Sequence, residues 1–133
     1  MAEGESIPRL VLISGATGAG KTTLAKAVAH EMGLARIASS DTIREVMRAT
    51  IPTPDPALIR SSYGRGDVGD ASSDWEDAAE AVQPGIEAVV ERARQQGVDL
   101  VLEGVHVIPS RRLLNAWESA GGAALGIVVK IED

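Results

Sequence analysis

Residues 15–22 read Gly-Ala-Thr-Gly-Ala-Gly-Lys-Thr, a full match to G-x-x-x-x-G-K-[ST]. Few folds can carry such a segment, because it works only between a buried strand and the first turn of a helix. Both flanks are present. Residues 9–14, RLVLIS, form a continuous apolar run of the kind that a strand buried on both faces requires. From Lys21 to Met32 a helix is predicted, with Leu24, Ala25, Val28, Ala29 and Met32 on one face and Gly33 placed to end it.

The chemistry of the segment follows from its residue types. Gly15, Ala16, Thr17, Gly18, Ala19 and Gly20 are small enough for the backbone to curl its N–H groups inward around the triphosphate of a nucleotide. Lys21 supplies a mobile charge for the β- and γ-phosphates. The Thr22 hydroxyl is a hard oxygen ligand suited to Mg²⁺, and Thr23 lies beside it in a helix start whose dipole favours anions.

Beyond the loop the pattern alternates. Residues 35–38 are predicted as a second strand, leading through Ser39 and Ser40 to a helix that starts near Asp41 or Thr42. Thr42-x-x-Glu45 has capping-box spacing there, and Ile43, Val46 and Met47 form its buried stripe. Residues 51–73 are rich in Pro, Gly, Ser and Asp and read as a long acceptor-side loop, with a helical turn available around ALIRSSY. Helical periodicity returns from Asp74 through Trp75, Val82, Ile86 and Val90, with Pro84-Gly85 expected to kink or split it. VDLVL at 98–102 is the third strand and ends on Glu103-Gly104. Ser110 caps a further helix, closed by Gly121-Gly122, and ALGIVVKI is the fourth strand. Strand–helix alternation of this kind indicates one α/β domain over 9–133, a parallel sheet with helices on both faces in the P-loop nucleotide-binding fold. Residues 1–8 read as a loose lead-in.

With two Trp, one Tyr and no Phe, the core must be built from Val, Leu, Ile and Ala, which suits such a sheet. A net charge of −6 argues against a nucleic-acid platform, which needs a basic stripe. The absence of cysteine excludes disulfides and thiolate metal sites. No apolar run is long enough to span a bilayer, and the N-terminus lacks signal-peptide order, so the sequence reads as cytoplasmic.

In open parallel sheets, ligands sit beyond the carboxyl ends of the strands. That rule selects Asp41 after the second strand and Glu103 and His106 after the third. A carboxylate at Glu103 is suited to hold Mg²⁺ or to orient an acceptor hydroxyl; otherwise it is a solvated acid at a strand end. Asp41 serves equally as a helix cap. Arg44 and Arg48 read either as a surface pair or, for Arg44, as a bidentate anion contact. Arg111 and Arg112 read as a solvated helix face, and His106 as an ordinary loop histidine.

Four stretches together resemble the 2-phosphoglycerate kinases: LVLISGATGAGKTTLA at 10–25, SSDTIREVMR at 39–48, SSY at 61–63 and LEGVHVIP at 102–109. The resemblance implies transfer of the ATP γ-phosphate to the hydroxyl of 2-phosphoglycerate, giving 2,3-bisphosphoglycerate, on a mononucleotide-kinase fold with strand order 2-3-1-4-5. It puts Asp41 and Arg44 on the acceptor side and Glu103 and His106 at the reaction centre. Lys21, Glu103 and Asp41 are the candidates to carry catalysis. It also implies an arginine-bearing lid and a fifth strand after the fourth. The sequence stops at Asp133, where the lid would begin, so slow turnover is expected of this chain alone. Two other readings stand beside this one: a nucleotide-binding module with little catalysis, and a kinase of a sugar, shikimate-like acid or nucleoside.

Overall fold

The computed structural model describes residues 7–16, 18–34, 36–59 and 71–130. Four strands, β1 (Arg9–Gly15), β2 (Ile37–Ser39), β3 (Leu100–Gly104) and β4 (Ala123–Val129), form one sheet in the order β2-β3-β1-β4, with every neighbouring pair parallel. The helices are α1 (Lys21–Met32), α2 (Ser40–Thr50), the single turn α3 (Pro56–Ile59), α4 (Ala71–Gln96) and α5 (Arg111–Ser119). The expected α/β architecture is present, in the order implied for its first four strands.

Strand periodicity divides the core in two. Leu10, Leu12, Leu100 and Leu102 point to one face, where they pack with Leu58, Val82, Ile86, Val90 and Trp117 from α3, α4 and α5. Val11, Ile13 and Val101 point to the other, against Ala25 and Ala29 of α1 and Leu34 beyond it. Ala at the α1 contacts lets that helix lie close to the sheet. Burying each Leu, Ile or Val contributes about 1.5–3 kcal/mol before conformational entropy is set against it.

Several boundaries differ from expectation. The second helix begins at Ser40, and its cap is Ser39, whose hydroxyl accepts from the Asp41 N–H at 3.2 Å. Asp41 is therefore in the first turn, not at the cap. The Thr42–Glu45 capping box does not form; Glu45 instead pairs with Arg48 on the exposed surface. Val46 is 56% exposed, so only Ile43 and Met47 of the expected stripe meet the core. Trp75, placed in the buried stripe of α4 by its periodicity, is 43% exposed.

Pro84 does not split α4, which runs unbroken for 26 residues. Proline removes one helical hydrogen bond, a cost of about 3 kcal/mol or more, but Val82, Ile86 and Val90 on either side are all buried and hold the helix to the sheet. A Cβ at position 85 would lie 2.5 Å from Ile43 Cγ2 and 2.7 Å from Met47 Sδ, so Gly85 sets how closely α2 approaches α4.

Strand β3 begins at Leu100 instead of Val98. The Val98 N–H closes α4 by donating to Ala93 O at 3.1 Å, and the Asp99 carboxylate accepts from the Arg9 N–H at 2.7 Å and its guanidinium at 3.1 Å. The strand also runs through Glu103 to Gly104. Helix α5 starts on Ser110 as predicted, its hydroxyl accepting from Leu113 N–H at 3.3 Å. Arg112 reaches across to Glu87 of α4. The SSY stretch, with the rest of residues 60–70 of the expected 51–73 loop, lies outside the described residues.

Candidate active site

The loop after β1 turns sharply, with Ala19 N–H donating to Ala16 O at 3.1 Å and Leu24 N–H opening α1 on Gly20 O at 2.9 Å. Gly18 and Gly20 have φ of 86° and 87°, a conformation that side chains disfavour, which explains glycine at both positions. Gly15 closes β1, and Ala16, Gly18 and Ala19 form the turn. Thr17 lies outside the described residues. Lys21, Thr22 and Thr23 are the first three residues of α1.

Lys21 is buried at 8% exposure, and its ammonium donates to Ala16 O at 2.8 Å. A charge held this way sits over the loop instead of reaching into bulk water. Thr22 Oγ1 lies 3.5 Å from Glu103 Oε2 across the gap between α1 and β3. Glu103 is 6% exposed and has no cationic partner among the described residues. Two hard oxygens side by side, one a buried carboxylate, are a donor set that fits Mg²⁺.

On the other side of β3, three residues predicted from sequence converge. His106 Nδ1 stands 3.9 Å from Asp41 Oδ1, too far for a hydrogen bond. The His106 side chain is 7% exposed while that of Asp41 is 73% exposed, so a buried imidazole faces a carboxylate at the mouth. Among the described residues, His106 Nδ1 and Arg44 Nε are both buried without a hydrogen-bond partner. Arg44 is thus half-buried, whereas Arg48, paired with Glu45, is exposed. Buried polar atoms without partners are costly, and such atoms at a strand end are those that a polar ligand would satisfy.

Burial holds the His106 pKa below the usual histidine value; Asp41 opposes that shift and Arg44 adds to it. A depressed value in the native state means that the unfolded chain binds the proton more readily. The stability that this group supplies is therefore complete above about pH 6.5 and is lost as pH falls toward and through the native pKa. Urea midpoints should drop between pH 7.5 and 5.5 by more in the wild type than in His106→Asn. Parallel midpoints would show that His106 is not buried as described.

Sequence reading missed three contributors. The Ser40 side chain, fully buried, packs against Gly104, where a Cβ would meet Ser40 Oγ at 1.8 Å. Trp75 Nε1 donates to Val105 O at 2.7 Å, and Gln83 Nε2 to His106 O at 3.4 Å. Only the polar atoms of Trp75 and Gln83, on an otherwise apolar helix stripe, hinted at such partners.

A cleft of about 610 Å³ opens between β2, α2 and α4 and reaches Thr22 and Glu103. Its walls are mainly Ile37, Ile43, Val46, Met47 and Val89, with Ser39 and Thr42 as polar points.

The model of one family, Zeta toxin, matches residues 2–111, which span the loop, α2, α4 and β3. The chain belongs to the Zeta toxin family. Similar relatives are 2-phosphoglycerate kinases. That of Methanothermobacter thermautotrophicus is 36% identical over 112 residues, 77% of this chain and 37% of the relative. That of Thermococcus kodakarensis is 40% identical over 107 residues, 74% of this chain and 37% of the relative. The resemblance read from the four stretches is borne out, and the chain spans a little over a third of the length of these relatives.

Among solved structures, one from the PezAT chromosomal toxin–antitoxin system of Streptococcus pneumoniae superposes with a TM-score of 0.60 at 19% identity, covering 95% of this chain and 48% of that one. The APS kinase CysC of Mycobacterium tuberculosis gives 0.53 at 16% identity, covering 94% of this chain and 77% of that one. At these identities the likeness is one of fold, and it is the P-loop kinase fold expected for a Zeta toxin family chain. No helix among the described residues is long and apolar enough to cross a membrane.

Proposed function

We propose that this chain is the nucleotide- and acceptor-binding core of an ATP-dependent phosphotransferase, with 2-phosphoglycerate the leading acceptor and 2,3-bisphosphoglycerate its product. The observation that carries the reading is the convergence of Lys21, Thr22 and Glu103 with Asp41, Arg44 and His106 at one end of the sheet. The names of the most similar relatives support the acceptor.

In this reading the loop amides and Lys21 hold the β- and γ-phosphates, and Thr22 and Glu103 hold Mg²⁺. The metal, when bound, neutralises charge on the transferring phosphoryl group. Asp41, exposed at the mouth, orients the acceptor hydroxyl and takes its proton as the γ-phosphoryl group leaves the β-phosphate oxygen. Arg44 meets the acceptor's phosphate or carboxylate with a guanidinium already stripped of water at Nε. A neutral His106 offers one further hydrogen bond. Catalysis is then positioning and charge stabilisation, with no covalent intermediate on the protein.

Calorimetry of 2-phosphoglycerate in the presence of Mg²⁺ and a non-hydrolysable ATP analogue tests this. Binding is expected, and Arg44→Ala should weaken it about tenfold or more, the scale of a charge-assisted hydrogen bond. Equal affinity in the variant would remove Arg44 from the acceptor site. The apolar cleft beside Thr22 and Glu103 favours a second reading, a hydroxylated acceptor with an apolar body. A panel of sugars, a shikimate-like acid and nucleosides tests it: stronger binding of one of these than of 2-phosphoglycerate would change the acceptor and leave the phosphotransferase in place.

A further inference from the structure

The turn after β3 carries His106, and nothing on its own segment fully fixes it. Val107 is anchored in the core, with its N–H donating to Gly104 O at 3.4 Å, but Val105 is only half-buried and Asp41 is out of hydrogen-bond range. The carbonyls of Val105 and His106 accept from two side chains of α4 instead. Trp75 Nε1 donates to the first at 2.7 Å, and Gln83 Nε2 to the second at 3.4 Å while also reaching Ala79 O at 3.3 Å. These donors are eight residues apart, about 12 Å along the helix. Among the described residues, the turn therefore has one strong tether to α4, from Trp75, and a weaker one from Gln83.

Trp75 is an unusual place to find such a bond. The residue is 43% exposed, so an indole N–H there could be satisfied by water at little cost and is not forced to find a protein acceptor. The ring also contributes little to the core, whose α4 members are Val82, Ile86, Val90 and their neighbours. What the bond accomplishes is to join α4 to the residue immediately before His106. On the other flank, α2 presents Asp41 and Arg44 to the same imidazole.

We propose that Trp75 is a positioning residue for the acceptor side: its indole N–H holds Val105 O and so keeps the His106 imidazole facing Asp41 and Arg44. The role assigned to that trio rests on the acceptor reading above, whereas the tether itself does not.

The test uses the whole chain labelled with ¹⁵N at histidine and tryptophan. Trp75→Phe keeps an aromatic ring and removes only the donor and the second ring. The His106 imidazole signals should shift or broaden, while those of His30, exposed on α1, stay in place. Affinity for a non-hydrolysable ATP analogue should remain within about twofold. Affinity for 2-phosphoglycerate should fall about three- to tenfold, the scale of one neutral hydrogen bond. A second measurement needs no variant: in the wild type the Trp75 indole proton should exchange with deuterium at least about tenfold more slowly than in the urea-unfolded chain, despite the exposure of the residue. Unmoved His106 signals in Trp75→Phe, or an indole proton that exchanges at the unfolded rate, overturns the tether. Displaced His106 signals in a chain whose wild type binds no 2-phosphoglycerate would uphold the tether and reject the acceptor.

Discussion

Lys21→Ala should reduce affinity for an ATP analogue about a hundredfold or more while leaving the fold intact. Lys21 is the one side-chain cation in the phosphate loop, and it is already desolvated, at 8% exposure, with its ammonium on Ala16 O. A phosphate arriving there meets a charge that has paid most of its hydration loss during folding, so the new contact is strong. A loss of about 3 kcal/mol corresponds to the stated factor. The fold should survive because alanine is the best helix former at the start of α1, and only one loop hydrogen bond goes with the ammonium. Calorimetry and circular dichroism on both proteins decide it. Equal affinities with matching spectra would remove nucleotide binding from the proposed function, and with it the roles given to Thr22 and Glu103.

The parts of this site that could be read from sequence are those whose physics is local. Gly18 and Gly20 are glycines because of their own backbone angles, and Lys21 and Thr22 follow them on a helix whose apolar spacing lies within twelve residues. Glu103 and Asp41 were found by position, since each stands at the carboxyl end of an apolar run. The contacts that were missed depend on how separate elements approach each other. The bond from Trp75 to Val105 O spans 30 residues, and its existence depends on where α4 begins and how it rotates. Periodicity assigns Trp75 to the buried stripe because that calculation sees a ring and ignores its N–H. The unbroken course of α4 was hidden for the opposite reason: the local penalty of Pro84 is plain in the sequence, while the burial of Val82, Ile86 and Val90 that outweighs it belongs to the assembled sheet.

The same distinction makes Gly104 the sharpest stability probe of the site. From sequence Gly104 reads only as the end of the third strand, but a Cβ would lie 1.8 Å from Ser40 Oγ and 2.7 Å from Ser40 Cβ. Ser40 is fully buried in the first turn of α2, so neither residue has room to step aside. The backbone at Gly104 adds strain, with φ at 152°. Gly104→Ala should therefore destabilise the chain by about 3 kcal/mol, the upper part of the usual range for overpacking. Ser40→Gly alone should cost about 1 kcal/mol, from the flexibility of glycine in a helical turn. The double variant removes both clashing atoms and leaves the new Cβ facing Ser40 N at 3.1 Å, so it should recover at least about half of the Gly104→Ala loss instead of adding to it. Urea unfolding of the four proteins, with slopes compared so that only midpoints are read as stability, measures the coupling. Simple additivity would mean that α2 and β3 do not meet at this point. Because Asp41 follows Ser40 and Glu103 precedes Gly104, the same contact joins the two backbone segments that carry these carboxylates. Gly104→Ala should then weaken 2-phosphoglycerate binding at temperatures where the variant is still folded, and Ser40→Gly should restore part of that binding along with the stability.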